Sequence, residues 1–515
     1  MKNLILLLSL IIFGKYAYTQ NITFVNADNN IPVAEVSIIS KTNANLGVIS
    51  DLNGTASFEI FSLGDTLLAM HIGFGNKSII NNKSNITDTI KLTPKLYLLN
   101  EINFEDVKTP LIYNSTLYNK IRRNKIELIK SSNTADLFSK ALGINIQESQ
   151  SGGGSPNLRG MEANRLLIIV DDIPINNAIY RSGHVQSSNR INPFFIDNIR
   201  VVTGPASVVY GDGAMGGAII INTLNNESSK GVSNIIEQKY KSSSLSSSLK
   251  YLNTTSFKNL EFITAFAIEA NGNLKMGRNR LHGFTNWGNE STITKKNEQL
   301  ETKYSKYDFI QKLIIQQKAN TISLNSQFST TSDISRFDKL NDIEDGIRKY
   351  KNWYYGPQQR IAQSLKIYNK NKNLISDNKS LIIAWQNHKE SRHKQKYNDS
   401  LQSNRYEDVT IMDIILDFKK SIRKVDFNYG ISLRKQNVNS DANFSPTNNL
   451  LKNTTRYPDG GSKVMDAAVY TQFKYKVLKN TTIFFGERYN LNYLTARFND
   501  NSVYNLPYNE ITTNN

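Results

Sequence analysis

The second half of this chain alternates. From Val425 to Arg434, Val425, Phe427, Tyr429, Ile431 and Leu433 fall on one side of an extended backbone; Asp426, Asn428, Gly430, Ser432 and Arg434 fall on the other. Successive strand side chains point to opposite faces, so this is a strand with one apolar and one polar face. Ala467 to Val477 repeats the pattern: Ala467, Val469, Thr471, Phe473, Tyr475 and Val477 oppose Ala468, Tyr470, Gln472, Lys474 and Lys476. "NLEFITAFAIEA", "KYDFIQKLIIQQ", "NTISLNSQFS", "KSLIIAWQNH" and "TIFFGERY" are weaker members. Residues 228–515 therefore read as an antiparallel wall, one side to lipid and the other to a polar interior. A soluble sandwich or β-helix competes. The 25 Tyr and 23 Phe, many near strand ends, favour the aromatic girdles of an outer-membrane barrel.

Residues 1–20 read as a signal peptide. Lys2 is the positive start, Leu4–Phe13 the apolar core, and Ala17-Tyr18-Thr19 a small-residue cleavage site, too short together to span a bilayer. No later apolar run reaches membrane-helix length, so a membrane form must be a barrel. Lys and Arg number 62 against 44 Asp and Glu, a net +18 that favours an anionic ligand or surface. These residues are scattered, which argues against nucleic acid. With no Cys, disulfides and thiolate metal sites are excluded.

Residues 21–95 read as a small β-sandwich, with strands in "VAEVSIIS", "LLAMHIGF" and "DTIKL" and a turn at Asp51-Leu52-Asn53-Gly54. The unit resembles the carboxypeptidase regulatory-like domain over about seventy residues and has no peptidase zinc motif. The connector, residues 96–112, carries Glu101, Ile102, Asn103, Phe104, Glu105, Asp106 and Val107, extended in character and suited to adding a strand to a partner's sheet.

Residues 113–225 read as mixed α/β. Asn133 or Thr134 caps a helix that Gly143 stops, and "NRLLIIVDDIPI" is a buried strand and turn. The stretch "IRVVTGPASVVYGDGAMGGAIIINT" holds Gly204, Gly211, Gly213, Gly216 and Gly217. A phosphate cradle would open onto a helix N-terminus. Here the glycines run into the strand "AIIINT", so they serve tight turns and close backbone approach.

"SPNLRG", "NRLLIIVDDIPI" and "FIDNIRVVTGPASVVYGDGAMGGAIIINT", in that order, resemble the plug domain of TonB-dependent outer-membrane receptors. The order of segments resembles receptors of Bacteroidetes type. The fold this implies is mainly β: a sandwich, an α/β plug, then a barrel of 22 strands. The matching plug positions are Arg159, Gly160, Asp171, Gly204, Pro205, Tyr210, Gly211, Gly216 and Gly217. In the family, plug arginines pair with barrel glutamates. Arg159 is the matching arginine, expected buried against a barrel carboxylate, and Arg200 a displaced second one. The turn at Asp171-Asp172 lacks the family's glycine.

The resemblance implies a transporter that takes up a large scarce ligand of the iron-siderophore, heme or cobalamin class. It would use TonB as energy-coupling partner through a box at Glu101–Val107. No cofactor and no catalysis are implied. Arg181, His184, Arg278, Arg280 and His282 are the ligand-contact candidates, on polar loops. A passive porin or adhesin is the alternative, and a hydrolase lacks any recognisable constellation. A 22-stranded wall takes roughly 450 residues; Lys230 to Asn515 offers 515 − 230 + 1 = 286. The expectation is a barrel cut short, its first and last strands unpaired.

Overall fold

The computed structural model describes residues 21–43, 45–82, 89–94, 118–148, 150–180, 188–225, 231–277, 294–295, 297–446, 453–478, 481–499 and 506–514. The chain divides into two compact units, Met1–Phe104 and Glu105–Asn515.

The first unit is two small sheets on one core. One sheet joins β1 (Asn21–Asn26) to β4 (Thr55–Ser57) and β7 (Thr89–Leu92); the other joins β2 (Ser37–Ser40), β3 (Gly47–Ile49), β5 (Thr66–His71) and β6 (Phe74–Ile80). Phe24, Val36, Ile38, Phe58 and Leu67 fill the space between them. The Asp51 turn forms as its residues dictate: Asp51 Oδ1 accepts from the N–H groups of Asn53 (2.9 Å) and Thr55 (2.8 Å). That turn carries the chain from β3 to β4, which lie in opposite sheets.

The second unit opens with an inner domain. Its elements are β8 (Tyr118–Arg122), α1 (Arg123–Ile129), α2 (Thr134–Leu142), β9 (Asn145–Gln147), β10 (Ser155–Asn157), β11 (Leu167–Val170), β12 (Ile173–Pro174), β13 (Ile196–Val202) and β14 (Ala218–Thr223). The main sheet runs β12-β11-β14-β13-β8, with β11 and β14 parallel. Near-continuous aliphatic runs make both central strands, as burial on two faces requires. Ile168, Val170, Ile219 and Ile221 face Leu137 and Phe138 of α2; Leu167, Ile169, Ala218 and Ile220 face the opposite way, onto Tyr210. The Asn133 side chain caps α2 by accepting from Asp136 N–H (2.8 Å), and Gly143 ends it at φ 64°. α1 has no side-chain cap, which is why its sequence gave no start signal.

The wall follows as an antiparallel sheet. β15 (Gly231–Lys241), β16 (Ser246–Phe257) and β17 (Leu260–Asn271) lead to a loop holding β18 (Leu274–Lys275), β19 (Thr294–Lys295) and β20 (Glu298–Gln299). β21 (Tyr304–Gln317) and β22 (Asn320–Thr331) precede a second folded loop with β23 (Ile334–Ser335), α3 (Phe337–Leu340), β24 (Ile343–Glu344), β25 (Ile347–Arg348) and β26 (Tyr350–Tyr355). The longest strands close the series: β27 (Gln359–Asn369), β28 (Asn378–Lys396), β29 (Gln402–Ile422), β30 (Val425–Ser445), β31 (Ser462–Leu478), β32 (Thr481–Arg497) and β33 (Glu510–Asn514).

Neighbours pair in chain order from β15 to β33. Among the described residues β15 pairs only with β16 and β33 only with β32, so the sheet is open at both edges. The alternation holds: Ile431, Leu433 and Val469 are exposed on one face, while Asn428, Tyr470 and Gln472 are buried on the other. Two-residue turns at 258–259, 318–319 and 423–424 mark one rim. Long connections at 272–303, 332–358 and 446–461 mark the opposite rim.

Candidate functional site

The inner domain touches the polar face of the wall from β16 to β32, so the wall curls around it. The tip of the β11–β12 hairpin is the most heavily bonded point of this contact. Its two residues, Asp171 (φ 48°) and Asp172 (φ 69°), both take the left-handed conformation that a two-residue hairpin turn demands. Aspartate tolerates this where most residues do not, because its short side chain bonds locally. Asp171 Oδ1 accepts from the Thr223 N–H (2.9 Å) and from Lys312 Nζ (3.4 Å). Its Oδ2 accepts from Thr223 Oγ1 (2.6 Å), Asn325 Nδ2 (2.8 Å) and Gln327 Nε2 (3.1 Å). Asp172 Oδ2 accepts from Lys366 Nζ (2.6 Å). One aspartate thus ties the hairpin to β14, β21 and β22, and the next ties it to β27.

A second cluster lies on the turn Ser188–Arg190 and the residues after it. Arg190, buried, forms an ion pair with Glu390 of β28. It also donates to Nδ1 of the fully buried His388 (3.3 Å), so that nitrogen is the unprotonated one. Asn192 Nδ2 donates to Glu269 (2.9 Å) and to Asp308 (3.0 Å). The wall also bonds the inner domain's backbone. Gln386 donates to Pro174 O (3.0 Å), Arg434 to Asn176 O (2.6 Å) and Tyr457 to Ile179 O (2.6 Å). Apolar patches fill the gaps, such as Ile179 and Tyr180 on Val409 and Ile411. The contact is thus largely polar and charge-paired, with apolar patches between the bonded points.

Several expected residues sit elsewhere. Arg159 is exposed, at φ 54°, with no ion pair among the described residues. It lies in a tight turn between Leu158 and Met161, whose backbones bond each other. Arg190 occupies the buried, carboxylate-paired place instead. Arg200 is buried within β13. Gly160 is exposed and donates to Asn157 Oδ1 (3.1 Å). Between the strands, where the sequence reads as tight turns, Gly204–Tyr210 forms a 3-10 helix with Pro205 at its start. Tyr210 is buried, and Gly211 (φ 151°) ends that helix. Gly217, at φ 129°, leads into β14; a Cβ there would stand 2.7 Å from Val202 O. At Gly216 a Cβ would meet the Met161 side chain at 2.5 Å.

The connector Glu101–Val107 and the ligand-contact candidates Arg181, His184, Arg278, Arg280 and His282 lie outside the described residues. Of the contact residues, Lys312, Lys366, Glu269, Arg190 and Glu390 escaped sequence reading. Their one signal is a charge on the polar side of an alternating strand, as at Lys312 within "FIQKLIIQQ".

A family model, the TonB-dependent receptor plug domain, matches residues 114–218. The chain is similar to the vitamin B12 transporter BtuB of Vibrio vulnificus strain CMCP6, at 31% identity over 130 residues, 25% of this chain and 20% of that one. It is similar to the heme transporter BhuA of Brucella ovis at 36% identity over 104 residues, 19% of this chain and 15% of that one. The chain thus spans a fifth or less of these relatives' length. Among solved structures, the copper transporter OprC superposes with a TM-score of 0.60 at 10% identity, covering 77% of this chain and 59% of that one. The ferric yersiniabactin uptake receptor FyuA of Yersinia pestis superposes with a TM-score of 0.56 at 15% identity, covering 77% and 60%. At such identities the likeness speaks for fold: a plug with a large antiparallel barrel-like wall. Plug and lipid-facing wall together place the chain in the outer membrane.

Proposed function

We propose that this chain works in TonB-dependent uptake across the outer membrane, carrying a ligand too large and too scarce for passive entry. The supporting observation is the plug's attachment: the wall grips it through Asp171, Asp172, Arg190 and Asn192 rather than through a sealed apolar joint. Such a joint suits a plug that is displaced under load and returns. On this reading the connector Glu101–Val107 meets TonB, residues 21–95 form a regulatory-like accessory domain, and residues 1–20 are a signal peptide. Arg181, His184, Arg278, Arg280 and His282 remain the ligand-contact candidates. The ligand is of the iron-siderophore, heme or cobalamin class; vitamin B12 and heme are what the similar transporters BtuB and BhuA are named for. Growth with each of these as sole iron or cobalamin source, with and without the protein, tests the proposal. Growth that depends on the protein and on an intact TonB supports it; equal growth on every source refutes it. A steady open pore in planar bilayers would point to a passive porin instead.

A further inference from the structure

The net +18 is not spread evenly over the wall. In the described connections of the long-loop rim, cations and carboxylates balance, nine of each. Many are paired there, as Arg336 with Asp338 (2.6 Å), Lys339 with Asp342 (3.0 Å) and Lys349 with Glu344 (3.5 Å). The described connections of the short-turn rim hold Lys258, Lys318, Lys370, Lys372, Arg423 and Lys424 against one carboxylate, Asp377. Asp377 is already taken, by Lys420 Nζ (3.1 Å) and the Ser421 N–H (2.9 Å). All six cations are exposed, and none has an ion pair among the described residues. Just inside this rim the outer face is apolar and aromatic: Phe257, Phe262, Ile422, Tyr475 and Phe485 are exposed. Lys258 lies over the Phe257 ring, 5.3 Å from its centroid. A collar of free cations bordering an aromatic girdle is what a charged lipid interface selects.

We infer that the short-turn rim is a binding collar for anionic phospholipid headgroups of the leaflet it meets. The inference rests on the outer-membrane reading of the wall, in which short turns face the periplasm. The periplasmic leaflet is built of phospholipid, and its anionic members carry a phosphodiester charge that lysine and arginine attract. Of the net +18, 6 − 1 = +5 thus lies in the described connections of the rim away from the long loops, whereas the long-loop connections described are neutral.

The experiment is spin-label EPR of the protein reconstituted in phosphatidylcholine bilayers with trace spin-labelled phosphatidylglycerol or phosphatidylcholine. The motionally restricted fraction gives the association ratio of the two lipids. Each cation at an anionic surface contributes a factor of about five. A ratio of roughly five or more is expected at low salt, falling toward one in about 1 M salt, where the Debye length is about 3 Å. The variant Lys258→Gln, Lys318→Gln, Arg423→Gln, Lys424→Gln should bring the ratio below about two. Lys275→Gln, Lys303→Gln and Lys351→Gln at the other rim should leave it unchanged. A wild-type ratio near one, or a ratio indifferent to the four substitutions and to salt, overturns the inference. That includes the case in which the collar serves a soluble protein. Failure of the barrel reading would look different, with no restricted component for either lipid.

Discussion

Replacing Asp171 by asparagine keeps the side chain's shape and its tolerance of φ 48°, and removes only the charge and one acceptor atom. Five donors converge on the carboxylate, two on Oδ1 and three on Oδ2. An amide NH2 at either position would confront donors with donors. Lys312, its side chain 5% exposed, would lose its carboxylate and keep only two long contacts, to Thr223 O (3.3 Å) and Asn225 Oδ1 (3.4 Å). Breaking a buried pair from one side costs about 3–5 kcal/mol, and the 17% exposure of Asp171 favours the lower end. About 3 kcal/mol is two decades in an opening equilibrium. Hydrogen exchange of the Ile168–Val170 and Ile219–Ile221 amides in bilayers reads that opening directly. The expected result is exchange roughly a hundredfold faster in Asp171→Asn, with much of the loss recovered when Lys312→Met is added. Asp171→Ala should be worse by about a further 1 kcal/mol, because alanine pays for φ > 0. Exchange in Asp171→Asn within about threefold of wild type, equivalent to roughly 0.6 kcal/mol, would refute the claim that this tip anchors the plug.

Arg190→Met should loosen the Ser188–Ile191 segment by about 3 kcal/mol, since Glu390 is left without its arginine, and adding Glu390→Gln should restore part of it; protection of those amides decides. Gly217→Ala should destabilise the plug by about 2 kcal/mol or more through backbone strain and the clash with Val202 O, read from urea midpoints. At the start of α2, burial would raise the Asp136 carboxyl, but the Ser132 N–H and Lys140 outweigh it and hold it below the ordinary 3.8. A folded value below the unfolded one stabilises above the unfolded value, and that support is lost as pH falls past it. Asp136→Asn should therefore flatten the acid limb of plug stability below pH 3.8, and an unchanged limb in a pH titration of urea midpoints would exclude this role. Deleting residues 100–107 should abolish uptake while surface binding of ligand persists, measured by transport and binding assays on the same cells.

Legibility followed the range of the forces involved. Local rules sufficed for the Asn133 cap, the Gly143 stop and the Asp51 turn, where a side chain answers a backbone group a few residues away. Period-two alternation was enough for β30 and β31, because lipid and polar interior impose opposite demands on successive residues. What stayed hidden depended on partners far along the chain. Arg190 meets Glu390 across 200 residues, and Asp171 meets Gln327 across 156. Nothing in "SSNR" distinguishes a plug anchor from an exposed turn. Arg159 misled for the opposite reason: its motif matched, but the residue sits exposed in a local left-handed turn. The charge total was legible and its placement was not, since the asymmetry emerges only when the turns are sorted to one rim.

The order of strands in the plug sheet also bears on how the protein is made. β8 is the first plug strand to emerge, and its partner β13 follows about eighty residues later, with Tyr118 opposite Val202 and Arg122 opposite Asn198. β11 likewise waits for β14, since Leu167 stands opposite Ala218. The short β9–β10 and β11–β12 pairs close locally, whereas β8 and β11 reach their partners in the main sheet only through β13 and β14. Chains dominated by such distant pairings fold slowly and expose unpaired edges while they wait. The central sheet can close only once the residues of β14 have been made, because β14 lies between β11 and β13 and pairs with both.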